Sequence, residues 1–103
     1  MDLKDRVAVV TGGGTGIGRA ISEHFARAGA RVVVNYARSK EDAENTVSTI
    51  VAAGGTAIAV AADVSDQEQA NALMQTAARE YGRLDYLVNN AGWSQRVPHP
   101  QMD

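Results

Sequence analysis

The sequence contains no cysteine, which excludes disulfides and thiolate metal sites and fits a reducing compartment. It also has no excess of one charge. A net charge of −2 offers no field for nucleic acid or an anionic membrane. No run approaches the ~20 apolar residues that span a bilayer. The start, Met1-Asp2-Leu3-Lys4-Asp5-Arg6, has no apolar stretch of the secretory-signal kind. The two histidines, His24 and His99, have no carboxylates at ligand spacing, so no metal site is expected. Both prolines lie in the segment from Trp93 to Asp103, which has no apolar period and reads as loop. What remains is a chain of 103 residues, 45% of them hydrophobic, enough for one packed domain with a cytoplasmic setting as the expectation.

Short β-branched runs alternate with helical stripes. Val7–Val10, Arg31–Val34, Ala57–Ala61 and Tyr86–Val88 read as strands buried on both faces, as in a parallel sheet. Ile17, Ile21, Phe25 and Ala28 form one face of a first helix that Gly29 stops. A second helix starts at Ser39, whose hydroxyl is expected to cap the Asp42 amide. It buries Ala43, Val47, Ile50 and Val51 and ends at Gly54-Gly55. A third opens on a Ser65-Asp66-Gln67-Glu68 capping box, carries Ala70, Leu73, Met74, Ala77 and Tyr81, and closes at Gly82. The β-α-β-α-β-α-β order predicts the amino-terminal half of a doubly wound α/β parallel-sheet (Rossmann) fold over residues 1–92. Residues 93–103 are expected to lead toward a carboxy-terminal half. Strand order 3-2-1-4 would put the first two helices on one face and the third on the other. Ligands bind at the switch point of such a sheet.

The first strand runs into Thr11-Gly12-Gly13-Gly14-Thr15-Gly16-Ile17-Gly18, a T-G-x-x-x-G-x-G spacing that opens a helix. A pyrophosphate seated on main-chain amides at a helix N-terminus needs such glycines, because a Cβ would obstruct it. Asp63-Val64 follows the third strand, and Asn89-Asn90-Ala91-Gly92 follows the fourth. At the end of the second strand, where a carboxylate would hold a ribose 2′-hydroxyl, stands Asn35, followed by Tyr36-Ala37-Arg38-Ser39.

With these motifs in this order and spacing, the sequence resembles the short-chain dehydrogenase/reductase family. Residues 34–40 are similar to the 3-oxoacyl-acyl-carrier-protein reductase type. The resemblance implies a nicotinamide-dependent oxidoreductase that reduces a carbonyl or oxidises an alcohol, homo-oligomeric as a whole protein. By resemblance, Gly12, Thr15, Gly16, Ile17 and Gly18 cradle the pyrophosphate. Asp63 accepts from the adenine amino group beside Val64, and Asn90, Ala91 and Gly92 line the nicotinamide ribose. Asn35 in place of an acid, with Arg38 and Ser39 as phosphate partners, favours NADP(H) over NAD(H). Thr15 pulls the other way, because relatives committed to NADP(H) often carry a basic residue there.

The family's catalytic tyrosine, lysine, serine and asparagine are expected beyond Asp103, so these 103 residues alone should be inactive. Tyr36 and Lys40 match the Y-x-x-x-K spacing of that pair, but Tyr36 precedes the helix start at Ser39 and lies at the adenosine end. Two other readings stay open: a module that binds dinucleotide without chemistry, and a partial chain with no role of its own.

Overall fold

A computed structural model describes residues 2–90. Its elements are β1 (Val7–Val10), α1 (Gly16–Arg27), β2 (Arg31–Tyr36), α2 (Lys40–Ala52), β3 (Thr56–Ala61), α3 (Gln67–Tyr81) and β4 (Tyr86–Val88). All four strands are parallel, in the order β3-β2-β1-β4. β1 and the valines of β2 are buried on both sides, which is why their sequences are continuous rather than alternating. On one face, Val10, Val32 and Val34 meet Ala43 and Ile50 of α2, with Ile21 and Phe25 of α1 packed alongside. On the other, Val9 and Val33 meet Leu73 and Ala77 of α3. The chain therefore crosses the sheet between β3 and β4, creating a switch point beside the carboxyl end of β1.

Several local expectations are corrected. β2 runs two residues past Val34, because Asn35 and Tyr36 pair with Val60 and Ala61. Ile17 and Val51 are 68% and 54% exposed, so each helical stripe is narrower than its sequence suggests. Ser39 occupies the start of α2 but makes no side-chain cap bond. The cap of α3 is Asp66, not Ser65: its carboxylate accepts from the Glu68 and Gln69 amides, while Ser65 turns back to Asp63. Leu87, in register with Val9, lies beyond the cover of α3 and is 54% exposed.

The short strand β4 is tied to β1 by Asp85. Its carboxylate accepts from the Val7 amide at 2.9 Å and from Arg83 Nε and Nη2, each at 2.9 Å. These bonds lower its pKa from 3.8 to about 2. A depressed folded-state pKa stabilises the fold above the ordinary value and loses that contribution as pH falls through the folded one. Acid unfolding followed by circular dichroism is therefore expected to depend less on pH between 3.8 and about 2 in Asp85→Asn than in the wild type.

Candidate functional site

The glycine turn sits at the carboxyl end of β1, gripped from several sides. The Thr11 amide donates to Val88 O at 3.0 Å, and the Gly13 amide to Asn35 O at 2.9 Å. Gly12 and Gly16 hold φ values of +61° and +53°, the left-handed region that favours glycine. The other glycines answer to packing. A Cβ on Gly13 would lie 2.8 Å from Ser22 Oγ, and one on Gly14 would lie 2.7 Å from Ala43 Cα. A Cβ on Gly18 would fall on the Gly12 carbonyl oxygen. Glycine density here is therefore partly a demand of the helices that back the turn. Gly16 differs, since a Cβ there meets nothing within 4 Å.

The start of α1 is left without a side-chain partner. Thr15 occupies the N-cap position but makes no cap bond, and the first turn carries no acid. The amides there are the orphan donors of a helix N-terminus, with the positive end of its dipole behind them. Such a terminus fits an anionic group. On each side of it opens a crevice. One of about 220 Å³ is lined by Gly14, Thr15, Asn35, Tyr36, Arg38 and Ser39 among others, on the β2 side. The other, of about 240 Å³, is lined by Ile17, Ile21, Val88, Asn89 and Asn90, on the β4 side.

On the β2 side, Asp63 accepts from the Ser65 hydroxyl at 2.6 Å and from its amide at 3.0 Å. These bonds, with the Arg38 charge nearby, hold its carboxyl below the usual carboxylate range. Val64 is half-buried, its side chain packed against the α3-side core.

Asn35 stands near the end of β2 and lines the β2-side crevice. It is 1% exposed; its Oδ1 accepts the Gly12 amide at 3.3 Å, and its Nδ2 donates to Val60 O at 3.2 Å and Ala62 O at 3.1 Å. The side chain ties the glycine turn to the end of β3. The cause is strand alternation: Tyr36, the last residue of β2, faces the α1–α2 side, and Asn35 the opposite one.

On the β4 side, Asn89 Oδ1 accepts from Thr11 Oγ1 at 3.3 Å, and Asn90 Nδ2 donates to Gly12 O at 3.2 Å. Both asparagines therefore serve the turn. Ala91 and Gly92, expected at the nicotinamide ribose, lie outside the described residues, as does the expected loop at 93–103. Tyr36 ends β2 and Lys40 begins α2, so the pair does not share a helix. The sequence reading missed two residues, Ser22 and Thr46. Each is a fully buried polar side chain within a helix stripe, and each donates to a carbonyl of the glycine turn.

A parallel α/β sheet with an anion-ready glycine turn at its switch point is the architecture of a dinucleotide-binding domain. The family model for short chain dehydrogenases matches residues 6–103. The chain is 57% identical over 90 residues to an uncharacterized oxidoreductase of Methylorubrum extorquens, covering 87% of this chain and 36% of that protein. It is 44% identical over 103 residues to the short-chain dehydrogenase/reductase homolog YusS of Bacillus subtilis, covering all of this chain and 94% of YusS. A solved short chain dehydrogenase from Mycobacterium avium superposes with a TM-score of 0.83 at 46% identity, over 89% of this chain and 35% of that one. The chain belongs to the short chain dehydrogenase family. It spans little more than a third of two of these proteins and nearly all of the third.

Proposed function

We propose that residues 12–18 seat the pyrophosphate of a nicotinamide dinucleotide. The whole protein then works as an oxidoreductase that reduces a carbonyl or oxidises an alcohol, of the 3-oxoacyl-acyl-carrier-protein reductase kind. The observation that carries this reading is the uncapped start of α1 between two crevices, with open space at Gly16. The adenosine half fits the β2-side crevice, with Asp63 toward the adenine, and the nicotinamide half fits beside Asn90. When bound, the cofactor supplies or accepts the hydride; this chain's residues bind it, orient it and neutralise its charge. No helix among the described residues carries a tyrosine with a lysine four positions on, which supports the proposal that these residues alone turn over no substrate. One observation favours a second reading, a binding module without chemistry: the YusS homolog is matched over nearly its whole length.

NADP(H) is the proposed cofactor. Arg38 and Ser39 line the β2-side crevice, and neither residue at the end of β2, Asn35 or Tyr36, would repel a 2′-phosphate. Titration calorimetry is expected to show tighter binding of NADPH than of NADH. Arg38→Ala should shrink that difference by about tenfold, the effect of one charge-assisted contact. Equal affinities that the substitution leaves unchanged would refute the NADP(H) assignment, and no affinity for either would refute the functional reading itself.

A further inference from the structure

We propose that Ser22 and Thr46 are positioning residues. Together with Asn90 they hold three successive carbonyls of the glycine turn away from the anion site before any ligand arrives. The inference rests on the reading of residues 12–18 as a pyrophosphate seat. Gly12 O accepts from Asn90 Nδ2 at 3.2 Å, Gly13 O from Ser22 Oγ at 3.1 Å and Gly14 O from Thr46 Oγ1 at 3.0 Å. The three donors come from three places: the segment after β4, α1 and α2.

In a planar trans peptide the C=O of one residue and the N–H of the next point in opposite directions. Drawing the Gly13 carbonyl toward Ser22 therefore turns the Gly14 amide away from α1. Drawing the Gly14 carbonyl toward Thr46 turns the Thr15 amide away from α2. Neither amide has a hydrogen-bond partner among the described residues. A glycine run without these clamps has the freedom to rotate its peptide units. A carbonyl swung toward the crevice would put the negative end of its dipole against a phosphate. Preorganised donors avoid that rearrangement at the moment of binding.

Both hydroxyls are 0% exposed, so their hydrogens must be spent inside the protein. Ser22 donates to Gly13 O. Thr46 divides its single hydrogen between Gly14 O and the Asp42 carbonyl of its own helix, each at 3.0 Å. The second contact alone would satisfy the group. Closeness to the turn is enforced separately, because Ala43, one helical turn before Thr46, touches Gly14 so closely that a Cβ there would not fit.

The test compares Thr46→Val, Thr46→Ser and Ser22→Ala in the 103-residue chain, by NADPH titration and by amide exchange without ligand. Valine keeps the shape and loses the hydroxyl; serine does the reverse. The clamp predicts that Thr46→Val and Ser22→Ala each weaken NADPH binding by about fivefold to tenfold. Thr46→Ser should stay within about twofold of the wild type. A purely packing role predicts the opposite order for the two Thr46 variants, and that order would overturn the proposal. In the ligand-free chain, the Gly13 amide should exchange about tenfold faster in Thr46→Val and Ser22→Ala. The amides of Val32–Val34 should be unaffected. Should the wild type bind no NADPH, the functional reading fails, and the exchange result decides the clamp alone. Unchanged Gly13 exchange in both variants would overturn it.

Discussion

Gly18→Ala is expected to unlock the glycine turn and destabilise the whole fold by about 3 kcal/mol or more, at the upper end of overpacking effects. The added methyl would land on the Gly12 carbonyl oxygen and lie 2.8 Å from Asn90 Nδ2. Those two atoms form the hydrogen bond that joins the turn to the end of β4. The nearer obstacle is backbone, not the free end of a flexible side chain. Gly12 is held by Asn35, and Asn90 sits two residues past the pairing of β4 with β1. The methyl can be accommodated only by moving α1 away from the sheet, which opens the core that Ile21 and Phe25 help cover. Against a typical total of about 5–15 kcal/mol, such a loss is a large part of the stability. Denaturant unfolding of the two chains measures it, and a wild-type midpoint in Gly18→Ala would contradict the packing described.

Gly16→Val is expected to behave in the opposite way, removing dinucleotide affinity by about a hundredfold or more while the chain stays folded. The new Cβ meets no protein atom within 4 Å. The stability cost comes from the backbone, since φ at Gly16 is +53° and a side chain in that region costs about 1–2 kcal/mol. The branched side chain would instead stand in the space between the two crevices, over the amides that open α1. Thermal unfolding should therefore show a moderate drop in midpoint with the transition still cooperative. Glycines two positions apart would then separate two roles that look identical in the sequence.

That separation marks the limit of what the sequence makes legible. The strands were readable because β1 and β2 lie inside a parallel sheet and must be apolar on both faces. The strand order 3-2-1-4 was the order expected of a doubly wound sheet, and the sheet has it. Glycine spacing correctly pointed to the turn, but it could not show that Gly13, Gly14 and Gly18 are required by Ser22, Ala43 and Gly12. Those partners are distant in sequence or depend on how closely α2 approaches. The bonds of Asn35 to the turn were not legible, because strand alternation decides its direction and β2 runs two residues beyond its valine run. At the start of α3 two adjacent residues could each cap, and the choice fell to Asp66 because Asp63 captures the Ser65 hydroxyl. Thr46 left one trace, a polar residue between Ala43 and Ile50 on a buried stripe, but nothing in the sequence names the carbonyl it meets.

The most direct test of the central claim, that main-chain amides of residues 12–18 hold a dinucleotide pyrophosphate, is a calorimetric titration of NADPH into the wild-type chain and into Gly16→Val. The account predicts saturable binding to the wild type and a loss of about a hundredfold or more in a variant whose circular dichroism still shows the α/β fold. Equal NADPH affinity in the two folded chains would contradict it.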